Sequence, residues 1–92
     1  MIRTFRDRDT NRLWERQRVG RFAPFEVAAR RKLVMLNNAR SLADLRSPPG
    51  NSLEVLKGDR KGQHSIRINR QYRVCFTWRD GDAYEVEITD YH

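Results

Sequence analysis

The sequence is poor in the residues that most often announce chemistry. It holds one cysteine, Cys75, so no internal disulfide can form. That cysteine sits inside the apolar run Val74-Cys75-Phe76, where it reads as a small buried hydrophobe rather than an activated nucleophile. Two histidines, His64 and His92, lie too far apart in sequence to make a metal motif by themselves. With no Cys/His cluster at ligand spacing, neither a metal nor a cofactor is expected. A P-loop, a GxGxxG turn and a GxSxG elbow are all absent. No apolar run approaches the roughly 20 residues that span a bilayer. Met1–Phe5 leads straight into Arg6-Asp7-Arg8 without the apolar stretch of a secretion signal, so a cytoplasmic protein with no membrane partner is expected.

What is present is charge. The 92 residues carry a net charge of +7, and a chain of this length builds one compact core, so a single domain over residues 1–92 is expected. The excess lies at one end: residues 1–46 carry twelve Arg/Lys against five Asp/Glu, whereas residues 47–92 carry seven of each. Lysine occurs only at Lys32, Lys57 and Lys61, and every other cation is arginine, the type suited to bidentate phosphate contacts and to stacking on bases. A polyanion, nucleic acid above all, is the natural partner; a positive surface that only keeps a small protein soluble is the alternative.

Periodicity sets the elements. Met1–Phe5 alternates like a short half-buried strand, and Asp7 or Asp9 offers a carboxylate at the start of a helix over about Asp9–Arg18, stopped by Gly20. Pro24 suits the first turn of a second helix that runs to about Leu45, with Phe25, Ala29, Leu33, Leu36 and Ala39 on one stripe. Ser47-Pro48-Pro49-Gly50-Asn51 breaks any helix. Strands follow at Leu53–Leu56, His64–Ile68, Tyr72–Arg79 and Ala83–Asp90, the last two joined by the hairpin signal Asp80-Gly81. Alternation places Ile66, Ile68, Tyr72, Val74, Phe76, Trp78, Tyr84, Val86 and Ile88 on the core side, with Ser65, Arg67, Arg73, Cys75, Thr77, Glu85 and Glu87 opposite. The predicted class is α+β: a short N-terminal strand and a helical hairpin on one face of a mostly antiparallel sheet.

The sheet face away from the helices gathers the candidate chemistry. Arg67 and Arg73 lie there on adjacent strands, where they either meet phosphate or pair with Glu85 or Glu87. Lys57 ends the strand before them. The chain closes on Asp90-Tyr91-His92, which brings a carboxylate, a phenol and an imidazole to the end of the last strand. Such a set suits RNA cleavage in which the neighbouring 2′-hydroxyl attacks the phosphate: a base takes the 2′ proton, an acid protonates the leaving 5′-oxygen, and cations hold the equatorial oxygens, with no metal required. Imidazole fits either proton task, Asp90 or the terminal carboxylate can orient His92, and Tyr91 offers a stacking surface. His64 has core parity and reads as structural, and from pattern alone the assignment ends at a basic α+β domain that meets RNA.

Four stretches carry a resemblance: Leu45-Arg46-Ser47-Pro48-Pro49-Gly50-Asn51, Leu56-Lys57-Gly58-Asp59-Arg60-Lys61-Gly62-Gln63-His64-Ser65-Ile66-Arg67, Gln71-Tyr72-Arg73-Val74-Cys75-Phe76-Thr77-Trp78 and Asp90-Tyr91-His92. Together they resemble the HigB branch of the RelE toxins over nearly the whole chain. The resemblance implies the RelE-like fold and a ribosome-dependent endoribonuclease that cuts messenger RNA in the A site of the 70S ribosome. It further implies inhibition by a HigA-like helix-turn-helix antitoxin, with which the toxin would reach operator DNA indirectly. By matching position it implies Lys57, Arg73, Asp90, Tyr91 and His92 as catalytic residues; Arg60, Lys61 and Arg67 are expected as RNA contacts. The basic helices, including Arg30, Arg31 and Lys32, would then face ribosomal RNA (16S rRNA of the 30S subunit) or an acidic antitoxin surface. One position departs from the pattern: where some HigB toxins have a histidine in the strand before the Lys57 turn, this sequence has Glu54. That leaves Glu54 as a base, as a partner for a neighbouring arginine, or as an ordinary surface residue.

Overall fold

A computed structural model describes residues 1–90. It contains helices α1 (Arg8–Trp14) and α2 (Glu26–Asn38), and strands β1 (Glu54–Val55), β2 (His64–Arg67), β3 (Tyr72–Arg79) and β4 (Asp82–Asp90), with 3-10 turns at Gly20–Phe25, Leu42–Arg46, Pro49–Asn51 and Gly58–Arg60. The strands form one antiparallel sheet in the order β1-β2-β3-β4. Met1–Phe5 lies along the outer edge of β4, bridging in parallel from Ile2 to Ala83 and from Phe5 to Val86. Its bonds are few but long in reach: Arg3 N donates to Ala83 O at 2.8 Å, and Val86 N donates to Thr4 O at 3.0 Å. The class is therefore α+β as the alternation predicted.

Both helices are shorter than the periodicity suggests, for identifiable reasons. Asp7 caps α1, its carboxylate accepting from Thr10 N at 3.0 Å. The helix stops at Trp14 rather than Arg18, because Arg16 turns left-handed (φ 64°) and Gln17 N reaches back to Arg12 O at 2.9 Å. That closure is normally made by glycine; here Arg16 makes it, and Gly20 instead opens a 3-10 turn through Phe25. Helix α2 ends at Asn38 rather than Leu45. Ala39 is already extended (ψ 136°), and Ser41 and Asp44 form a capping box that starts a separate 3-10 turn over Leu42–Arg46.

The core lies between the helices and one sheet face. Leu13, Phe22, Leu33, Leu36 and Leu45 meet Ile66, Val74, Phe76, Val86 and Ile88, all fully buried or nearly so, each side chain contributing roughly 1.5–3 kcal/mol by its removal from water. One aromatic departs from the predicted pattern. Glu85 adopts a left-handed φ of 52°, and the β3–β4 pairing slips by one so that Thr77, not Trp78, faces Tyr84 while Cys75 faces Glu87. This bulge flips the parity of the strand. Ala83 takes the core place expected for Tyr84, and Tyr84 emerges on the opposite face.

Candidate functional site

The face away from the helices is built in rows across the sheet. One row sets Arg67 opposite Arg73 and Arg73 opposite Thr89, and the next runs Glu54, Ser65, Cys75, Glu87. At the first row a cleft of about 400 Å³ opens, lined by Ser52, Glu54, Arg67, Asn69, Arg70, Gln71 and Arg73. The turn that closes its far side is an Asx turn: the Asn69 carboxamide oxygen accepts from Gln71 N at 2.8 Å and Tyr72 N at 2.7 Å. This holds Arg70 exposed at the rim.

Arg73 is the fixed point of the cleft. Its Nε donates to Ser65 Oγ at 2.7 Å, its Nη2 to the carbonyls of Ser65 (3.4 Å) and Ser52, and its Nη1 lies 3.8 Å from Glu54. The Arg73 side chain is only 12% exposed, whereas that of Glu54 is 51% exposed. Of the three roles open to Glu54, the arginine-partner geometry is thus present, with the carboxylate still open to the cleft. The ion pairs expected between Arg73 and Glu85 or Glu87 do not form. Glu87 instead accepts from Arg60 at 3.0 Å, and Arg60 also reaches Gln63 at 3.1 Å. Arg67 Nε donates to Asn69 O at 3.0 Å, which orients it along the cleft wall.

The remaining candidates fall in three groups. Lys57 and Lys61 are exposed at the two ends of the 3-10 turn Gly58–Arg60, outside the residues that line the cleft. Asp90 pairs with Tyr72 across the sheet and has the parity of Ile88; Gln71 Nε2 donates to its carboxylate at 3.0 Å, tying it to the cleft rim. Tyr91 and His92 lie outside the described residues. Sequence reasoning did not single out Ser52, Arg70 or Gln71, whose places depend on loop shape; the Asn69-Arg70-Gln71 connection was the available signal.

Two of the helical cations serve the fold directly. Arg30 donates to the carbonyls of Leu13 (3.3 Å) and Gln17 (3.4 Å) and pairs with Glu26 at 3.2 Å, bracing α2 against the turn that ends α1, where Leu13 O also accepts from Arg16 N. Lys32 Nζ donates to the buried carboxamide oxygen of Asn51; burial, and then the neighbouring charge of Arg31, lower its pKa from the usual lysine value. The Asn51 amide in turn donates to Leu45 O at 3.1 Å and Ser47 O at 3.3 Å. This network pins the Pro48-Pro49 loop, hence Ser52, to α2. Arg31 is exposed.

The titratable core groups are quiet. Burial pushes the Cys75 thiol up, the largest influence among several smaller charges around it. His64 stacks with Phe76 at a ring distance of 6.1 Å, and desolvation holds its pKa below the usual value; its Nδ1 is buried without a hydrogen-bond partner. Its structural role is ring packing. Among the described residues, no group of three or more His, Cys, Asp or Glu is placed to hold a metal ion, and no helix is long and apolar enough to cross a membrane.

Comparison with known proteins places this geometry. A family model described as the RelE-like toxin of type II toxin-antitoxin system HigB matches residues 3–92. The chain belongs to the HigB toxin family. Among HigB relatives, toxin HigB-1 of Vibrio cholerae serotype O1 is 44% identical over 85 residues, spanning 90% of each chain. Endoribonuclease HigB of Proteus vulgaris is 45% identical over 40 residues, 44% of each chain. In three dimensions the fold matches a chain of the heterotetrameric YoeB-YefM toxin-antitoxin complex of Staphylococcus aureus, with a TM-score of 0.63 over 100% of this chain and 98% of that one. At 17% identity that likeness is one of fold. The HigB relatives and the RelE-like description agree with the resemblance carried by the Lys57 turn and the Arg73 strand.

Proposed function

We propose that this HigB-family chain is an endoribonuclease toxin that cuts messenger RNA in the ribosomal A site by 2′-hydroxyl transesterification, without a metal. The observation that supports it most is the Arg73–Glu54 pair. A cation held by Ser65 and Ser52 stands beside an exposed carboxylate in a cleft with two further arginines, Arg67 and Arg70. A cation held in place before the substrate arrives costs no reorganisation as charge develops on the phosphate. In this reading Arg73 and Arg67 hold the equatorial oxygens, Glu54 takes the 2′ proton, and His92 returns a proton to the leaving 5′-oxygen, oriented by Asp90. Tyr91 stacks a base, and Lys57, Arg60 and Lys61 contact the strand as it enters. Arg31, and to a lesser extent the tied-down Arg30 and Lys32, faces 16S ribosomal RNA. The partner that silences the toxin in the cytoplasm is a HigA-like helix-turn-helix antitoxin, through which the pair reaches operator DNA.

The test is inducible expression with primer-extension mapping of cuts in translated and untranslated messages. Wild type halts growth and cuts only translated messages at in-frame codons; His92→Ala and Glu54→Gln restore growth while antitoxin binding persists. Cuts in free RNA at comparable rates refute the ribosome dependence. Undiminished toxicity of His92→Ala refutes the assigned chemistry and leaves a binding module.

A further inference from the structure

The Glu85 bulge has an effect that core packing does not call for. Strand alternation would bury Tyr84 beside Val86 and Ile88; instead a non-glycine residue takes a left-handed backbone, and a large aromatic side chain is delivered to the polar face. Such conformations cost free energy and persist only where the surroundings enforce them. Here the enforcement is specific: Thr4 Oγ1 accepts from Glu85 N at 2.8 Å, while the backbone of the same N-terminal segment bonds Ala83 and Val86 on either side.

The result is a second concavity of about 350 Å³, lined by Thr4, Thr77, Arg79, Tyr84 and Glu85. The guanidinium carbon of Arg79 lies 4.2 Å from the centroid of the Tyr84 ring. Thr77, at its floor, is four residues beyond Arg73 on the same face of β3, a distance of about 13 Å at the usual rise of a strand. The two hollows therefore lie on one surface, within the reach of a short single strand.

We propose that this hollow is a nucleotide subsite in which Tyr84 stacks an RNA base flanking the cut. The ring supplies the stacking plane, as every base offers a face to an aromatic side chain. Arg79, exposed at the sheet end, turns from the ring to the phosphate of the same nucleotide. Glu85 accepts from an exocyclic amino group, which favours a base that carries one. The subsite rests on the nuclease reading above and adds a specificity determinant to it outside the catalytic cleft.

The test walks a single abasic nucleotide through a ribosome-bound test message, with cleavage rates measured for wild type, Tyr84→Phe and Tyr84→Leu. In wild type and Tyr84→Phe, one abasic position away from the scissile phosphate lowers the rate about tenfold, the scale of one lost base stack. In Tyr84→Leu the intact message is already slowed by a similar factor, and the abasic penalty at that position disappears. Circular-dichroism melting establishes that Tyr84→Leu is folded; if it is not, Arg79→Gln replaces it and is expected to slow the intact message while leaving the abasic penalty in place. An abasic penalty unchanged in folded Tyr84→Leu, or no penalty at any flanking position in wild type, overturns the subsite. A wild type that cuts no message at all overturns the nuclease reading instead.

Discussion

Replacing Arg73 separates scaffold from chemistry, because the structure makes this side chain a strut and the proposed function makes it a phosphate clamp. Arg73→Ala strands the hydroxyl of Ser65, which is fully buried, and removes a donor from the Ser52 carbonyl, which can turn to water. A buried polar group left without a partner costs about 1–3 kcal/mol. Adding a smaller contribution from Ser52 and the lost packing of the arginine stem, Arg73→Ala is destabilised by about 2–4 kcal/mol. For a domain of this size that lowers the melting midpoint by roughly 10–25 °C. Arg73→Lys keeps the charge but presents it at one point, so it reaches Ser65 or Ser52 and not both, and melts about 5 °C low. In the proposed reading its cleavage of ribosome-bound message falls much further than its stability, because a lysine cannot bond Ser65 and Ser52 and also present a donor where Arg73 Nη1 stands in the cleft. Circular-dichroism melting and primer extension on the same preparations provide the two readouts. An Arg73→Ala protein that melts with wild type refutes the strut; an Arg73→Lys protein that cuts at the wild-type rate refutes the phosphate role.

Further outcomes are expected elsewhere in the chain. Asn51→Ala leaves the Leu45 and Ser47 carbonyls and the Lys32 ammonium without their shared partner; a loss of about 2–4 kcal/mol is expected in urea titration, and a stability equal to wild type would contradict the network. His64 is held neutral by desolvation, so its contribution to stability is fully present above the unfolded-state pKa of about 6.5 and is lost as pH falls through the lower folded value. His64→Phe, which keeps the stack on Phe76, is therefore expected to show a shallower drop in melting midpoint between pH 7 and pH 5 than wild type; parallel curves would argue against the assignment. The Cys75 thiol, fully buried with its pKa raised, is expected to resist a thiol reagent in the native protein and to react at once in denaturant. Rapid native labelling would show that the middle row of the polar face opens.

Local signals read well where local rules decide. Strand β3 and the Asp80-Gly81 turn, with φ values of 52° and 81° at its two centre residues, follow directly from alternation and turn chemistry. Parity alone places Arg67 and Arg73 on one face, and the structure brings both to one cleft together with Glu54, which stood out only by its departure from the HigB pattern. Three of the misses share a cause: each depends on a contact distant in sequence. Tyr84 leaves the core because Thr4 holds the backbone of Glu85. Helix α1 closes at Arg16, with Arg30 of α2 reaching the carbonyls of Leu13 and Gln17 at the turn. Ser52 joins the cleft because Asn51 is tied to α2 through Lys32. Arg30 and Lys32 looked like surface charge in a helical pattern, and no periodicity distinguishes a strut from a free cation. The Ser41-x-x-Asp44 box was legible and marks where α2 had to end.

The pairing of Met1–Phe5 with β4 also sets an order on folding. The bond between Thr4 and Glu85 spans 81 residues, so a segment made earlier waits for one made much later. Contacts of such separation close slowly and late. During synthesis the helices and β1 through β3 can collapse early, but the bulge, and with it the finished polar face, forms only once β4 has left the ribosome. A partly made chain therefore has its helices before it has the hollow around Tyr84.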